Sequence, residues 1–377
     1  MKLRKWLLFG LLCALLFVTA CGGSGSDNGG ASQGGNSSNS SDSGSANGGG
    51  GGSENEPAKQ EPSGNLVIYT PRDQSIVDKV IGLFNEKYPK IKVEALTMGA
   101  QQVLERVRAE KANPQADFWW GGTQAGFMTA ANEDLLEPYV PGFDDFIKPE
   151  HKDPQNRWYG EMLLPMVIMI NSDLLTRETA PQDWDDLLDP QWKNKILIRG
   201  VLPSGTMRTI YSAMIYRQGA DNPEAGYEWL RKLDANTKEY VQDPTNLYLK
   251  LARQEGSVSL WNLQDILIQK YNQNQPFDYV YPKSGAPILV DAVGLVKGAK
   301  NKDNAILFYE FLFDPSLRTM LAEELYQIPT RTDMPLDEMP EWFHELSMAE
   351  LDLDWSVLAE KEMEWMQYWD ENIKGQN

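Results

Sequence analysis

Residues 66–73 read Leu66-Val67-Ile68-Tyr69-Thr70-Pro71-Arg72-Asp73. Four successive apolar residues running into a polar turn predict a buried strand. Asp73 and Ser75 offer caps for a helix through Tyr88. Ile76, Val77, Val80, Ile81, Leu83 and Phe84 form its apolar face, and Pro89 stops it. Ile91-Lys92-Val93-Glu94-Ala95 alternates as a second strand, and 101–112 has a helical pattern. Asp117-Phe118-Trp119-Trp120 predicts a third strand closed by Gly121-Gly122. The order β-α-β-α-β implies a parallel, doubly wound sheet.

The pattern changes near Glu161. Residues 162–170 are an apolar run interrupted by Pro165, read as a crossover into a second lobe. That lobe has its own alternation: strands at 195–199, 257–261 and 277–281, with helices at 205–217, 223–235, 244–255 and after 261. Residues 287–296 read as a return strand, followed by helices at 302–313 and 315–325 and an aromatic tail at 355–369. The expected fold is α/β, with two doubly wound lobes joined by crossover strands and a ligand cleft between them. Lobe 1 is expected over 65–163 plus 285–377, and lobe 2 over 164–284.

Outward from this globule lies a different kind of chain. Of 31 Gly in 377 residues, 14 fall in 22–64, together with 11 Ser and 5 Asn. Such a segment cannot build a core and reads as a flexible tether, 21–64, with an r.m.s. span of roughly 36 Å. Before it, Lys2, Arg4 and Lys5 precede an apolar run from Trp6 to Val18, the layout of a secretory signal over 1–20. Val18-Thr19-Ala20-Cys21-Gly22 resembles a bacterial lipobox, which implies lipidation of Cys21 and loss of Cys13 with the signal. The formal net charge is −19, and nearly all of it lies beyond the tether. Phosphate repulsion then argues against nucleic acid as a partner. Two Cys and two His argue against a disulfide scaffold, a cysteine zinc site or a histidine-rich metal site.

Several phrases carry a family resemblance. They are 66–73 itself, Phe84-Asn85-Glu86-Lys87-Tyr88-Pro89, Ala116-Asp117-Phe118-Trp119-Trp120-Gly121-Gly122, Trp184-Asp185-Asp186-Leu187-Leu188-Asp189-Pro190, Pro203-Ser204-Gly205-Thr206 and Gln327-Ile328-Pro329-Thr330-Arg331. In this order, behind a lipobox and tether, the chain resembles extracellular solute-binding proteins of ABC importers, in the group with ferric-ion and organophosphate binders. The resemblance covers 66–332. It implies a type II periplasmic-binding fold that closes on a ligand and delivers it to a permease. Ferric-binding relatives place adjacent tyrosines after the strand matching 257–260, where this chain has Trp261-Asn262-Leu263-Gln264-Asp265. Fe(III) needs anionic oxygen donors such as phenolates, so this departure weakens an iron reading.

In open α/β sheets, ligands sit outside the carboxyl ends of the strands. That rule selects Thr70 and Arg72 after the first strand, then Gly122, Thr123 and Gln124 after the third. In the second lobe it selects Ser204, Gly205 and Thr206, where a helix N-terminus, hydroxyls and a glycine suit a phosphate, phosphonate or carboxylate. Arg208 or Arg199 adds a guanidinium fork there. Trp261, Asn262 and Asp265 suit an organic portion, and Ser284 and Asp291 complete the set. Each has a plainer reading: Ser204 as a simple helix cap, Arg208 as a solvated face, Trp261 as core, and Arg72 paired with Asp73 or Asp78.

No H-E-x-x-H, P-loop or G-x-S-x-G constellation with triad partners occurs in the globule, so binding is expected rather than catalysis. The combined expectation is a monomeric, lipid-anchored receptor at the extracellular face of the membrane, without cofactor or resident metal. It captures a small phosphorylated or phosphonate organic anion by hinge closure and passes it to an ABC permease. The alternatives are a ferric-ion or ferric-chelate receptor with phenolates from Tyr69, Tyr211 or Tyr279, and a sugar or polyamine receptor. A sensory role would use the same fold.

Overall fold

The computed structural model describes residues 61–376 except 345 and 347. The expected signal, Cys21 and almost all of the tether lie outside the described residues. The chain runs β1 (Gly64–Thr70), α1 (Gln74–Lys87), β2 (Ile91–Thr97), α2 (Ala100–Ala109), β3 (Phe118–Thr123), α3 (Gln124–Asn132), β4 (Leu136–Glu137) and β5 (Tyr159–Asn171). Then come β6 (Ile196–Arg199), α4 (Gly205–Gly219), α5 (Glu224–Asn236), β7 (Thr237–Val241), α6 (Pro244–Ala252), β8 (Val258–Asn262), α7 (Leu263–Leu267) and β9 (Phe277–Val280). The last elements are β10 (Ile288–Val296), α8 (Lys302–Leu312), α9 (Pro315–Leu325), β11 (Ile328–Pro329), α10 (Glu341–His344) and α11 (Trp355–Asn372).

The strand order is β2-β1-β3-β10-β5-β8-β6-β7. β1 pairs in parallel with β2 and β3, and β6 pairs in parallel with β7 and β8. The antiparallel strands β10 and β5 stand between these two parallel groups. β5 makes the join because its first half pairs with β10 and β11, and its second half with β8 and β9. Pro165 lies at the handover: it pairs opposite Ile288, and the β8 ladder begins at Met166. A residue without an N–H disturbs the ladders least at that point.

Two lobes follow from where the apolar side chains go. One core packs Leu66, Ile68, Val77, Phe84, Phe118 and Trp120 against Phe308, Tyr309 and Leu312. On the other face of the same strands, Tyr69 and Trp119 pack with α2 and with Phe127 of α3. The second lobe has a single large core around Ile168, Trp184, Ile198, Ile210, Met214, Leu260 and Ile266. Trp119, Trp184, Trp192 and Trp229 are all buried, as the sequence suggests.

Two expectations change. β7 was not anticipated, because Thr237-Lys238-Glu239-Tyr240-Val241 is polar. Among the described residues it pairs only with β6, at the sheet edge, where polar side chains are tolerated. The division that set 285–377 with the first lobe does not describe α11. Its Trp365, Met366 and Trp369 enter the second lobe's core, and Tyr211 and Tyr240 meet Trp369 edge-on. Trp369→Ala should therefore cost roughly 3–5 kcal/mol, by the usual loss for a buried aromatic. Urea denaturation followed by fluorescence checks it; a loss under about 1 kcal/mol would mean the helix is peripheral.

Candidate ligand-binding cleft

A cleft of roughly 530 Å³ opens between the lobes, within the size range of small-molecule sites. Each parallel strand ends facing it, and the helix that follows begins there. The N-cap residues of α1, α2, α3, α4 and α6 are Asp73, Gly99, Thr123, Ser204 and Asp243, and all five line the cleft. Helix N-termini carry unsatisfied N–H groups and a positive dipole end, so their convergence is a preorganised anion environment. Thr123 Oγ1 accepts the Gly126 N–H at 3.0 Å, Ser204 Oγ the Met207 N–H at 3.3 Å, and Asp243 Oδ1 the Asn246 N–H at 2.9 Å. Asp73 makes no side-chain cap bond. The capping reading of Ser204 is thus correct, and the residue still faces the cleft.

Of the expected residues, Arg72, Gly122, Thr123, Ser204, Gly205, Thr206, Trp261, Asn262, Asp265 and Asp291 line one cavity. Four others do not. Thr70 sits behind, its Oγ1 accepting the Arg72 N–H at 3.2 Å. Gln124 is buried off the cleft, with Nε2 3.5 Å from the Glu150 carbonyl. Ser284 lies on an exposed loop, where Oγ donates to Asp183 Oδ1 at 2.6 Å. Arg208 is turned away, with Nη1 on Gln101 Oε1 at 2.9 Å and Nε 3.3 Å from Glu362 Oε2. A side chain four residues beyond the cap lies about 6 Å further along the helix axis, past the strand-end region, where Gln101 and Glu362 take it up.

Arg72 reaches the cleft wall, but its charge is committed. Nη2 lies 2.6 Å from Glu161 Oε2 and 2.8 Å from Asp291 Oδ1, in place of the suggested pairing with Asp73 or Asp78. Glu161 also receives Arg318 Nη1 at 2.8 Å and Trp120 Nε1 at 2.9 Å. Burial works to raise the Glu161 carboxyl, but Arg72 and Arg318 overcome it and hold the group below its usual range. Asp291 has less support, and burial pushes it up to about 6 against the pull of Arg72. Gly121, at φ 89°, makes room for this web: a Cβ there would come within 3.1 Å of Arg72 Nε and 3.2 Å of Asp291 Oδ1.

The cation that remains available is Arg199, at the end of β6. Among the described residues it has no ion pair or hydrogen bond, and Nε is buried without a partner. Its guanidinium lies 5.9 Å from the Trp261 ring. Burial depresses its pKa, countered by Tyr248, Asp265 and Asp73. On the same wall, Asp265 Oδ2 accepts Trp261 Nε1 at 2.9 Å and Asn262 Nδ2 at 2.8 Å, while burial pushes the carboxyl up. Asp73 is raised to about 6 by burial and then by Asp265. Strand-end reasoning pointed to Arg199 but did not rank it above Arg208. Asp73 reads in the sequence only as a helix cap, and Gly99 and Asp243 carry no reading there.

The family model described as bacterial extracellular solute-binding protein matches residues 122–347. A relative from Haemophilus influenzae, described as an uncharacterized protein, is 25% identical over 320 residues, covering 82% of this chain and 91% of its own. Iron uptake protein A1 of Synechocystis is 25% identical over 295 residues, covering 72% of this chain and 79% of its own. The solved structure of the periplasmic binding protein AfuA from Actinobacillus pleuropneumoniae, with exogenous fructose-6-phosphate bound, is 26% identical at a TM-score of 0.72. It covers 82% of this chain and 98% of that one. The chain belongs to the bacterial extracellular solute-binding family, whose members bind solutes for transport.

The electrostatics of the wall give a signed pH test. Asp291 sits at about 6 when folded, above the ordinary carboxylate value of about 4 for the unfolded chain. The native state therefore holds this proton more tightly, and between about pH 4 and 6 the group adds stability as pH falls. The difference in unfolding free energy between the parent and Asp291→Asn should move in the parent's favour from pH 7 to 4.5, then level off. Urea titrations across that window check it; a difference moving the other way would show Asp291 to be a conventional low-pKa ion-pair partner.

Proposed function

We propose that the cleft captures a small organic anion bearing a phosphoryl or phosphonyl group and presents it to an ABC permease. The chain would be held at the extracellular face of the membrane by lipid on Cys21, with the tether giving it reach. The observation that carries this reading is the convergence of five helix N-termini from both lobes beside the unpaired Arg199. Tetrahedral oxyanions match that donor set, because N–H groups and a guanidinium meet several oxygens at once. A ligand held by caps from both lobes makes its full set of bonds only when they are together, so it selects the closed form. The sugar phosphate named with the AfuA structure is support by similarity.

The iron alternative finds little in this cleft. Its lining includes neither tyrosine nor histidine. Tyr69 donates to Glu110 and Tyr211 packs on Trp369 in the core, while Tyr279 lines a separate surface pocket. A polyamine reading has one observation in its favour: Asp73, Asp243, Asp265 and Asp291 share the cleft with Trp261. An aminoalkylphosphonate would use both the donors and these carboxylates.

Thermal-shift measurements with fructose 6-phosphate, 2-aminoethylphosphonate, spermidine and ferric citrate test the reading, because ligands of the native state raise Tm. A phosphorylated or phosphonate compound should give the shift. Arg199→Ala should weaken that compound at least about 10-fold, the scale of a hydrogen bond to a charged group. A response to spermidine or ferric citrate alone would overturn it.

A further inference from the structure

We propose that Arg208 is a positioning residue, a latch that holds the two lobes closed, rather than a group that touches ligand. The inference rests on the reading that the cleft closes on its ligand, but not on the ligand's chemical class. Arg208 lies in the first turns of α4 and is 2% exposed. Nη1 donates within its own lobe to the Leu202 carbonyl at 3.1 Å and across to Gln101 Oε1 at 2.9 Å. Gln101 belongs to α2 of the first lobe. Nε faces Glu362 Oε2 of α11, itself buried.

Three helices from two lobes thus meet on one guanidinium. α11 is rooted in the second lobe through Trp365, Met366 and Trp369, yet it packs against α3 of the first lobe as well as α4. It lies across the seam as a strap. At the same edge the backbones have almost no clearance. A Cβ on Gly99 would meet the Pro203 carbonyl oxygen at 2.8 Å, and one on Gly205 would meet Thr123 Cγ2 at 2.8 Å and Ala100 Cβ at 3.4 Å. This edge is assembled for the closed arrangement.

The two polar partners of Arg208 differ in what happens on opening. Glu362 travels with α4 because both helices share the second lobe's core. Gln101 departs with the first lobe. The Gln101 bond therefore exists only in the closed state, and an interaction confined to one state shifts the population toward it. Glu362 keeps the guanidinium paired throughout, which makes a buried cation at a moving edge affordable. Gln101 is itself steadied by Nε2 on Glu105 Oε1 at 3.1 Å, one turn along α2, which leaves Oε1 for Arg208.

The test needs no ligand. Spin labels at positions 92 and 249, one on each lobe, report the distance distribution by pulsed electron resonance in the full chain with Cys13 and Cys21 replaced by Ser. Gln101→Ala removes the acceptor from a half-buried position without leaving a buried charge. It should enlarge the long-distance population several-fold with the Tm of the free protein unchanged. Gln101→Met keeps the length of the side chain without its acceptor and should behave as Ala does. Any other pattern, whether Ala without effect or Met behaving as the parent does, overturns the latch. Because the readout is taken on free protein, it stands apart from the thermal-shift screen: failure of the phosphoryl reading leaves this result intact, and the reverse also holds.

Discussion

The rest of the structure depends on how Glu161 is kept ionised without water. Its side chain is fully buried on β5, the strand that joins the lobes. A lone carboxylate there would be driven to its neutral form. Arg72 from the β1–α1 turn, Arg318 from α9 and the Trp120 indole N–H from β3 surround it, and Asp291 on β10 takes the second charge of the web. Three elements of the first lobe are thereby fixed to the roots of both crossover strands. Such a web adds little net stability over an apolar core, because desolvation offsets the attraction, but removing one member leaves an uncompensated charge. Its effect is to tie the first lobe to both crossover strands at Glu161 and Asp291.

The same web explains why the order of elements was legible and the use of the charges was not. Strands such as Leu66-Val67-Ile68-Tyr69 and caps such as Ser204 announce themselves within a few residues, so the two-lobe α/β plan and ten of the cleft residues follow from local pattern and the strand-end rule. Arg72 and Glu161 lie 89 positions apart, and nothing near Arg72 marks its partner. Arg199 and Arg208 flank one helix start, and on sequence alone Arg208 is the favoured ligand group. Only the packing of α11, whose Glu362 lies far along the chain, separates the free guanidinium from the buried one. β7 was hidden for a different reason, since an edge strand does not need the apolar run that betrays a central one.

The large negative charge at first sits badly with an anion in the cleft. Exposed acids act over about 8 Å at physiological salt, so most of the −19 does not reach the site. The acids that do line it are locally engaged. Asp243 caps α6, Asp291 is held by Arg72 and the Gly122 N–H, and Asp265 accepts from Trp261 and Asn262. Asp73 stands at the start of α1 without a cap bond, and burial and then Asp265 raise it to about 6. The helix starts capped by Gly99, Thr123 and Ser204 have no acid at the cap, and Arg199 has no ion pair among the described residues. The cleft lining still carries more acids than bases, so an anion there is held by the local N–H groups and the Arg199 guanidinium and not by the net sign of the site. An acidic surface then repels anions in bulk while the cleft retains the one that fits, which favours selectivity over capture rate.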